Sequence, residues 1–311
     1  MTAKIIGVDL GGTRIRAACL DHDLNILKRQ ETLTRADDGG PNAVIGRMIE
    51  LIRSIWPDEP IEGIGVSAPG PLDPNEGLVL APPNLPGWKN VPLAAHLKNV
   101  FKVPVYIGKD TNVAVLAETA RGAAKNCRNV VYITLSTGIG AGVLVDGRLA
   151  TEVGSMWMLI DGQAMRFESA AAGPALEEQA RKLLAQGTPS LMVGMVENDL
   201  KQVSTKTLGE AAKQGDKLAL EIAQRAGYVI GLGLTTVLHL FNPEILVIGG
   251  GVSNMGDPLF TPIRKTIQDH VIYDGYINTL RIEPAALGED VSVIGGAALV
   301  RTRGGLVTLR E

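Results

Sequence analysis

Short apolar runs alternate with glycine-rich turns along this chain, and longer segments carry apolar residues at helical spacing. The apolar runs predict strands at residues 4–8, 14–20, 61–67, 103–107, 130–135, 143–145 and 244–248. The helical spacing predicts helices at residues 41–55, 93–100, 111–124, 170–186, 207–212 and 217–241. This mixture predicts the α/β class, and the chain is long enough for two domains with cores of their own.

One local arrangement occurs twice: a strand, a turn rich in glycine and hydroxyl residues, and a returning strand. Glycines and hydroxyls in such a turn bring backbone N–H groups and O–H groups close to an anion. Either turn alone is compatible with an ordinary hairpin, but the pair favours two related halves, each with a phosphate-contacting turn. The first turn contains Asp9-Leu10-Gly11-Gly12-Thr13, and the second carries Ser136, Thr137, Gly138, Gly140 and Gly142.

Asp110 is a candidate for a chemical role because of its place in the pattern. It follows the predicted strand at 103–107 and precedes the predicted helix at 111–124, so it lies at or near a helix N-cap. A capping aspartate contributes about 1 kcal/mol to stability. A general base must instead point at a bound ligand. The spacing within this segment leaves both interpretations open.

Two loops carry further candidate binding groups. Residues 68–71 form a stiff turn at the carboxyl end of a predicted strand, where ligands of α/β sheets usually bind, although a plain connecting turn fits equally well. The loop at 81–92 contains four prolines together with Asn84 and Trp88. An asparagine amide both donates and accepts hydrogen bonds, as a sugar hydroxyl requires. We interpret Trp88 as a packing residue.

Composition and charge exclude several classes of function. Hydrophobic residues make up 45% of the chain and charged residues 20%, as in ordinary globular proteins. The net charge of −3 argues against a nucleic-acid partner. Two cysteines form no disulfide framework, which favours a cytoplasmic setting. The apolar runs at 5–8 and 228–241 are too short for a signal peptide and a membrane span, so no membrane association is expected.

The two turns resemble the phosphate motifs of the sugar kinase/Hsp70/actin superfamily. Within it the chain resembles the ROK family of repressors, uncharacterised open reading frames and sugar kinases. The supporting stretches occur in family order and cover nearly the whole chain: Ser67-Ala68-Pro69-Gly70-Pro71-Leu72-Asp73, Ala81-Pro82-Pro83-Asn84-Leu85-Pro86-Gly87-Trp88, Asp110-Thr111-Asn112 and Val247-Ile248-Gly249-Gly250-Gly251-Val252.

This resemblance implies a fold and a domain arrangement. The implied fold is the two-domain actin-like ATPase fold, a duplicated ribonuclease H-like α/β architecture with a cleft between the domains. We expect an N-terminal domain of residues 1–118, joined by a C-terminal helix at about 297–311, and a larger domain of residues 119–296.

The resemblance also implies roles for the matching residues. Asp110 falls at the position of the family's catalytic base, and Asp9 is the expected partner of Mg²⁺, through water because Mg²⁺ keeps much of its hydration. The residues expected to bind ATP are Asp9, Gly11, Gly12, Thr13, Thr137, Gly138, Gly140, Gly249, Gly250 and Gly251. The residues expected to bind the sugar are Gly70, Asn84, Asn112, Glu152 and Glu168, although the two glutamates also fit ordinary surface positions.

The chain departs from the family pattern near the substrate segment. Lys109 stands where relatives usually have Asn, Ser136 where they often have Gly, and Ser155 where they have His. The Cys-rich zinc motif of the family is missing, and the two Cys and four His of this chain are scattered, so we expect no structural zinc. Packing in place of the metal is expected from Trp157, Met158, Leu159 and Ile160.

The leading hypothesis is an ATP-dependent hexose kinase of the glucokinase type that uses Mg²⁺. Its partners would be a small sugar and, by resemblance, other copies of itself in a homodimer or homotetramer. A non-catalytic sugar- or nucleotide-binding sensory protein is the alternative, and the departures at Lys109, Ser136 and Ser155 favour it. A repressor is not expected, because family repressors carry a DNA-binding module and the first phosphate strand here begins at Lys4.

Overall fold

The computed structural model describes residues 2–150 and 155–309. In chain order the strands are β1 (Lys4–Leu10), β2 (Arg14–Leu20), β3 (Ile26–Leu33), β4 (Ile61–Ala68), β5 (Leu72–Asp73), β6 (Leu78–Val79), β7 (Val105–Lys109), β8 (Val130–Leu135), β9 (Ile139–Val145), β10 (Arg148–Leu149), β11 (Trp157–Ile160), β12 (Gln163–Arg166), β13 (Ile245–Gly249) and β14 (Arg281–Pro284).

The α-helices lie between and after these strands. They are α1 (Gly40–Ile55), α2 (Leu93–Phe101), α3 (Asp110–Arg121), α4 (Phe167–Ala171), α5 (Gly173–Ala185), α6 (Met192–Met195), α7 (Thr205–Lys213), α8 (Lys217–Phe241), α9 (Asp257–His270) and α10 (Val291–Arg301). In the described part of the chain, no helix combines the length and apolar character needed to cross a membrane.

The chain forms two compact units, which we call unit 1 and unit 2. Unit 1 comprises Met1–Arg128, Leu144–Ala150 and Ala285–Glu311. Unit 2 comprises Asn129–Val143 and Thr151–Pro284. The domain bounds expected from the sequence, 1–118 with 297–311 and 119–296, stay a prediction.

The sheet of unit 1 has five strands in the order β3-β2-β1-β4-β7. The three strands β1, β2 and β3 pair antiparallel, because tight turns join them in sequence. Strands β4 and β7 add parallel to β1, each after a helical connection. The carboxyl ends of β1, β4 and β7 therefore meet at one edge of the sheet.

The second five-stranded sheet repeats this arrangement. Its order is β10-β9-β8-β13-β14. β10 pairs antiparallel with β9, and β13 and β14 are parallel to β8. β9 is the neighbour of β8 and follows it after a turn of three residues, and so short a connection joins antiparallel strands. Short connections again join the strands at the antiparallel end of the sheet. Two sheets with the same order and the same pairing pattern are what a duplicated α/β architecture requires, as the paired turns in the sequence predicted.

The core of unit 1 lies between its sheet and helices on both faces. On one face, α1 contributes Val44, Met48 and Ile52, which are fully buried. On the other, α10 lies so close that a Cβ on Gly7 or Gly65 would overlap its backbone carbonyls. Glycine at these strand positions is thus a condition for the packing of α10.

The core of unit 2 is built around the long helix α8. Glycines on α8 admit their neighbours closely: a Cβ on Gly227 would lie 2.9 Å from the carbonyl oxygen of Leu259 in α9, and one on Gly233 would lie 2.7 Å from the ring of Phe167. Phe167 is fully buried. The absence of a side chain at these two positions is therefore a condition for the close packing of α8.

The segment that stands in place of the zinc motif is a two-stranded hairpin, β11–β12. Its strands alternate: Ile160 is buried and Met158 packs against the core, whereas Trp157 and Leu159 are 67% and 73% exposed. The expectation that all four side chains pack was therefore wrong for Trp157 and Leu159, because successive side chains of a strand point to opposite faces.

Several elements differ from those predicted. β9 begins at Ile139, so Gly140 and Gly142 lie within a strand and the turn is limited to Ser136–Gly138, closed by a bond from the N–H of Ser136 to the oxygen of Gly138 at 2.9 Å. The helix predicted at 170–186 is two helices, α4 and α5, because Pro174 starts a new helix at its first turn.

Glu118 holds two backbone segments of unit 1 together from inside the protein. Its side chain is fully buried in α3. One carboxylate oxygen accepts from the N–H of Ala123 at 2.8 Å, and the other from the N–H groups of Ala286 and Leu287 at 2.9 and 3.1 Å. The carboxylate thus ties the turn after α3 to the segment before α10.

Replacing Glu118 with Gln is expected to lower the free energy of unfolding by about 1–3 kcal/mol, since an amide NH₂ cannot accept and leaves buried N–H groups unpaired. Thermal unfolding followed by circular dichroism measures the change. Glu62→Gln, an exposed glutamate at the start of β4, is the control and should leave Tm in place. Equal Tm values for both variants would show that the hydrogen bonds of Glu118 do not stabilise unit 1.

Candidate functional site

The polar residues at the carboxyl edge of the unit 1 sheet lie in register. Asp9 on β1 is aligned with Ser67 on β4, and Ser67 with Gly108 on β7. Asp110 follows β7 directly and is the first residue of α3. Ligands of α/β sheets bind at such edges, so the sequence-predicted Asp9 and Asp110 belong to one potential site.

Asp9 is an ionisable group under opposing influences. Burial raises the pKa of Asp9 above its usual range, and the negative charge of Asp110 raises it further. The Arg16 guanidinium, 3.5 Å away, and a hydrogen bond from Ser292 act in the opposite direction. Because the charge of Asp110 raises the pKa of Asp9, the two carboxylates lie within electrostatic range of each other.

The β1–β2 turn brings a predicted ATP residue against a predicted sugar residue. The N–H of Gly11 donates to the oxygen of Arg14 at 2.9 Å, and Thr34 donates its hydroxyl to the oxygen of Gly11 at 2.6 Å. A Cβ on Gly12 would lie 3.1 Å from the Cβ of Asn84. Asn84 and Thr13 are both exposed, so their polar atoms face solvent.

Asp110 lies at an exposed position with its carboxylate already oriented. Its Oδ1 accepts from the N–H of Thr111 at 2.8 Å. The aliphatic part of Lys109 lies over Gly70, whose Cβ would be 3.3 Å from Cε of the lysine. The predicted base Asp110, the predicted sugar residue Gly70 and Lys109, which replaces the usual Asn of the family, are therefore neighbours.

Three buried polar atoms next to Asp9 and Asp110 have no hydrogen-bond partner among the described residues: the hydroxyls of Ser67 and Thr111 and the amide oxygen of Asn112. Buried polar groups are rarely left unpaired in a folded protein. Each of these atoms is a position where water or a polar ligand would be stabilised, and Asn112 is one of the predicted sugar residues.

In unit 2, the β8–β9 turn lies against a predicted sugar residue. The carbonyl oxygen of Ser136 accepts from the N–H of Gly173 at the start of α5, at 2.8 Å. A Cβ on Gly138 would lie 3.1 Å from Oε2 of Glu168. Thr137, at the tip of the turn, is exposed. Glu168 and the predicted phosphate turn thus form one surface, whereas Glu152 lies outside the described residues.

The glycine turn after β13 lies beside the end of β8. Gly250 has a φ of 87°, and a Cβ there would overlap the backbone of Leu135. Gly249 is aligned with Thr134 across the two strands. Gly251 lines a cavity of about 350 Å³ with residues of α7 and of the following turn: Thr205, Lys206, Gly209, Glu210, Lys213, Asn254 and Met255.

The described residues fit a hydrated Mg²⁺ ion better than a caged metal. Among them, no group of three or more His, Cys, Asp or Glu side chains converges as a metal site. Mg²⁺ is commonly held by one or two carboxylates, with water and phosphate oxygens completing its shell. Asp9, aligned with Ser67, whose hydroxyl has no partner among the described residues, has this chemistry.

The sequence of the chain matches the model of a known protein family. A model described as "ROK family" matches residues 5–303. The chain belongs to the ROK family. The family includes kinases and repressors, so membership leaves activity to be argued from the site.

This ROK chain is similar over its length to proteins named as glucokinases. It is 32% identical to a glucokinase of Thermotoga maritima, over 96% of this chain and 98% of the relative. The crystal structure of a ROK family glucokinase from Streptomyces griseus with glucose and AMPPNP superimposes with a TM-score of 0.77 at 28% identity, covering 96% of this chain and 100% of that chain. The fold is the actin-like ATPase fold shared by these ROK proteins.

The ROK relatives also include regulators. A xylose repressor of Caldicellulosiruptor bescii is 29% identical over 77% of this chain and 62% of the relative. The same fold thus serves a protein named as a repressor.

Sequence reasoning missed two lysines of this ROK protein, Lys206 and Lys213, which line the cavity beside Gly251. Lys213 donates to the oxygen of Asn254 at 2.7 Å and so connects α7 to the glycine turn. Nothing in the local sequence of α7 distinguishes these lysines from surface residues. Only the packing of α7 on the turn after β13 brings them to the cavity.

Proposed function

We propose that this ROK protein is an ATP-dependent hexose kinase that transfers the γ-phosphate of ATP to a sugar hydroxyl, with glucose as the first substrate to test. The proposal rests on the position and surroundings of Asp110. It is an exposed carboxylate, fixed by the N–H of Thr111, beside a second acid and unpartnered buried hydroxyls. This is the environment of a general base next to a polar ligand.

Asp110 would accept the proton of the attacking sugar hydroxyl as its oxygen bonds to the γ-phosphorus. The bond from that phosphorus to the bridging oxygen breaks, and ADP leaves with the electron pair. Little covalent work is asked of the protein, because phosphoryl transfer depends on position and charge neutralisation. Proton acceptance by a placed base contributes about 10²–10⁴-fold to such a rate.

The glycine turns would bind the nucleotide. Backbone N–H groups at Gly12 and Gly138, with the hydroxyls of Thr13 and Thr137, suit phosphate oxygens. Gly11, whose N–H donates to Arg14, and Gly140, within β9, would let the phosphates approach the backbone closely. The cavity beside Gly249, Gly250 and Gly251 suits the adenosine part, since glycine lets a flat base lie on the backbone. Bound Mg²⁺ would neutralise phosphate charge, with Asp9 contacting its water shell.

The sugar would be oriented by Gly70, Asn84, Asn112 and Glu168, and by Glu152. A carboxylate accepts from two adjacent hydroxyls, and an amide donates as well as accepts, which together suit a ring of hydroxyls. Lys109 beside Gly70 alters this set of groups, so the preferred sugar is to be identified with a panel of hexoses. Assembly as a homodimer or homotetramer belongs to this proposal and would be measured by light scattering.

Purified protein with Mg-ATP and a panel of sugars tests the proposal. ADP release is followed with glucose, mannose, fructose, N-acetylglucosamine, N-acetylmannosamine and no sugar. Sugar-dependent release with glucose or another hexose is the expected result. Nucleotide binding with no turnover on any of these sugars would contradict the kinase.

A non-catalytic sugar- or nucleotide-binding sensory protein is the second candidate. Lys109, which lies over Gly70 next to Asp110, is the observation that favours it, because an ammonium there changes the surroundings of the base. The similarity to the xylose repressor also supports it. Sugar binding seen by calorimetry without ADP release is its distinguishing result.

Glu168→Gln is expected to raise the KM for the sugar about tenfold while leaving the KM for ATP within twofold. The amide keeps the shape but loses the charge that strengthens hydrogen bonds from hydroxyls by about 1.4 kcal/mol, a factor of ten. Steady-state kinetics on the preferred sugar gives both constants. Glu178→Gln, an exposed glutamate on α5, is the control. An unchanged sugar KM in the Glu168 variant would remove Glu168 from the sugar site.

A further inference from the structure

Unit 1 contains a cavity that the proposed function does not use. Its volume is about 460 Å³, within the range of small-molecule sites. Four separate segments line it: the β2–β3 turn, the end of α3 with the turn that follows, the β9–β10 turn, and the last residue of α10 with the segment after it. A cavity assembled from four segments depends on the fold of the whole unit and is not a local surface groove.

Cations dominate the lining of this cavity. Among the described residues, the lining carries three cations, Lys125, Arg128 and Arg301, against the carboxylate of Asp23, and His22 adds an imidazole. Arg128 also lies 3.7 Å from Asp146 at the rim. The chain as a whole has a net charge of −3, so a concentration of positive charge at one cavity runs against its average. Such a lining attracts anions.

The guanidinium of Arg301 has a fixed orientation. One of its terminal nitrogens donates to the carbonyl oxygen of His22 and lies 3.2 Å from the Nδ1 of the same residue. A guanidinium has five N–H donors in a planar fork that matches phosphate oxygens. An arginine already held by the protein loses less side-chain entropy when an anion binds.

Polar groups that are not cations complete the lining. Thr308 offers a hydroxyl, and Asn126, with a φ of 73°, offers an amide on a turn. The hydroxyl of Thr119 donates to the oxygen of Val115 at 2.8 Å. Leu24 and Leu309 supply apolar surface. This combination suits a small molecule with one strongly anionic end and a short polar or carbon body better than it suits a bare inorganic ion.

The cavity is separate from the Asp110 site. Asp110 is the first residue of α3, whereas Thr119 and Ala120 line the cavity from its last turn. The helical rise of 1.5 Å per residue puts about 14 Å between Asp110 and Thr119 along the axis. We propose that this cavity, which we call the cationic cavity, is a second binding site, for a small phosphomonoester.

Isothermal titration calorimetry without ATP or sugar tests the site independently of kinase activity. Glycerol 3-phosphate is the probe, with glycerol and inorganic phosphate as comparison ligands. Lys125→Gln removes one cavity charge, and Lys98→Gln removes an equivalent exposed charge from α2. Thr137→Val weakens the predicted phosphate turn of unit 2, so it reports any binding of the probe at the ATP site.

We expect glycerol 3-phosphate to bind the wild type, Lys98→Gln and Thr137→Val equally, and to bind Lys125→Gln about tenfold more weakly. Affinity should fall as salt rises. Glycerol should not bind, and equally tight inorganic phosphate would identify the phosphate group alone as the ligand. No binding of either phosphate, or binding lost in Thr137→Val and unchanged in Lys125→Gln, would overturn the proposal.

Discussion

Replacing Asp110 with Asn is expected to lower kcat for sugar phosphorylation by about 10²–10⁴-fold, the contribution of a placed general base. The amide retains an oxygen where Oδ1 accepts from the N–H of Thr111 at 2.8 Å, so the start of α3 should be preserved. It cannot accept the sugar proton. Binding of sugar and nucleotide, measured by calorimetry, should change by less than threefold, which places the loss in the chemical step.

Asp73 supplies a matched control for this variant. Like Asp110, it accepts backbone bonds locally, from the N–H groups of Asn75 and Glu76 at 3.0 and 3.1 Å. Both bonds go to Oδ1, which Asp73→Asn can keep as its amide oxygen, and Asp73 lies outside the proposed machinery, so kcat of this variant should stay within twofold of the wild type. If Asp110→Asn also kept its kcat, Asp110 would be a helix-terminal residue without a catalytic role.

Gly65→Ala is expected to destabilise unit 1 by about 3 kcal/mol or more, at the upper end of overpacking effects. Its Cβ would overlap the carbonyl oxygen of Gly296, and it would lie 2.6 Å from the carbonyl carbon. Both atoms belong to the backbone of α10, so no side chain can turn aside. The helix must move away from β1 and β4, exposing residues such as Ala297 and Leu299 that it buries.

Gly46→Ala is the opposite case in the same unit. Gly46 lies inside α1, and a Cβ there would meet no atom within 4 Å. Helix propensity alone should raise stability by about 0.5–1 kcal/mol. Urea unfolding compares the two midpoints. A Gly65→Ala protein with the wild-type midpoint would contradict the contact between α10 and the sheet.

The sequence predicted the fold well where burial dictates residue type. The apolar runs in the sequence predicted the buried strands β1, β4, β8 and β13. The two glycine turns indicated that the chain has two related halves, which agrees with the repeated sheet order. β3 was missed because most of its side chains face solvent, so its sequence, Ile-Leu-Lys-Arg-Gln-Glu-Thr-Leu, carries no apolar alternation. Helix α9 was missed as well, and Pro262 interrupts its helical pattern.

The candidate site was predicted less completely, because its parts depend on packing. Asp9 and Asp110 could be named, since each follows a predicted strand, but their proximity arises from the parallel register of β1, β4 and β7. The proximity of Gly12 to Asn84, and of Gly138 to Glu168, joins segments distant in sequence. Local sequence patterns do not predict such contacts, because they arise only when the chain is folded.

The most direct test of the account is detection of the phosphorylated sugar itself. Wild-type protein and Asp110→Asn would each be incubated with Mg-ATP and glucose, and hexose monophosphate and ADP would be quantified by mass spectrometry. The account predicts one hexose monophosphate for each ADP with the wild type, and at least a hundredfold slower formation with the variant. Wild-type protein that binds both ligands but forms no hexose monophosphate, from glucose or from any other sugar of the panel, would contradict it.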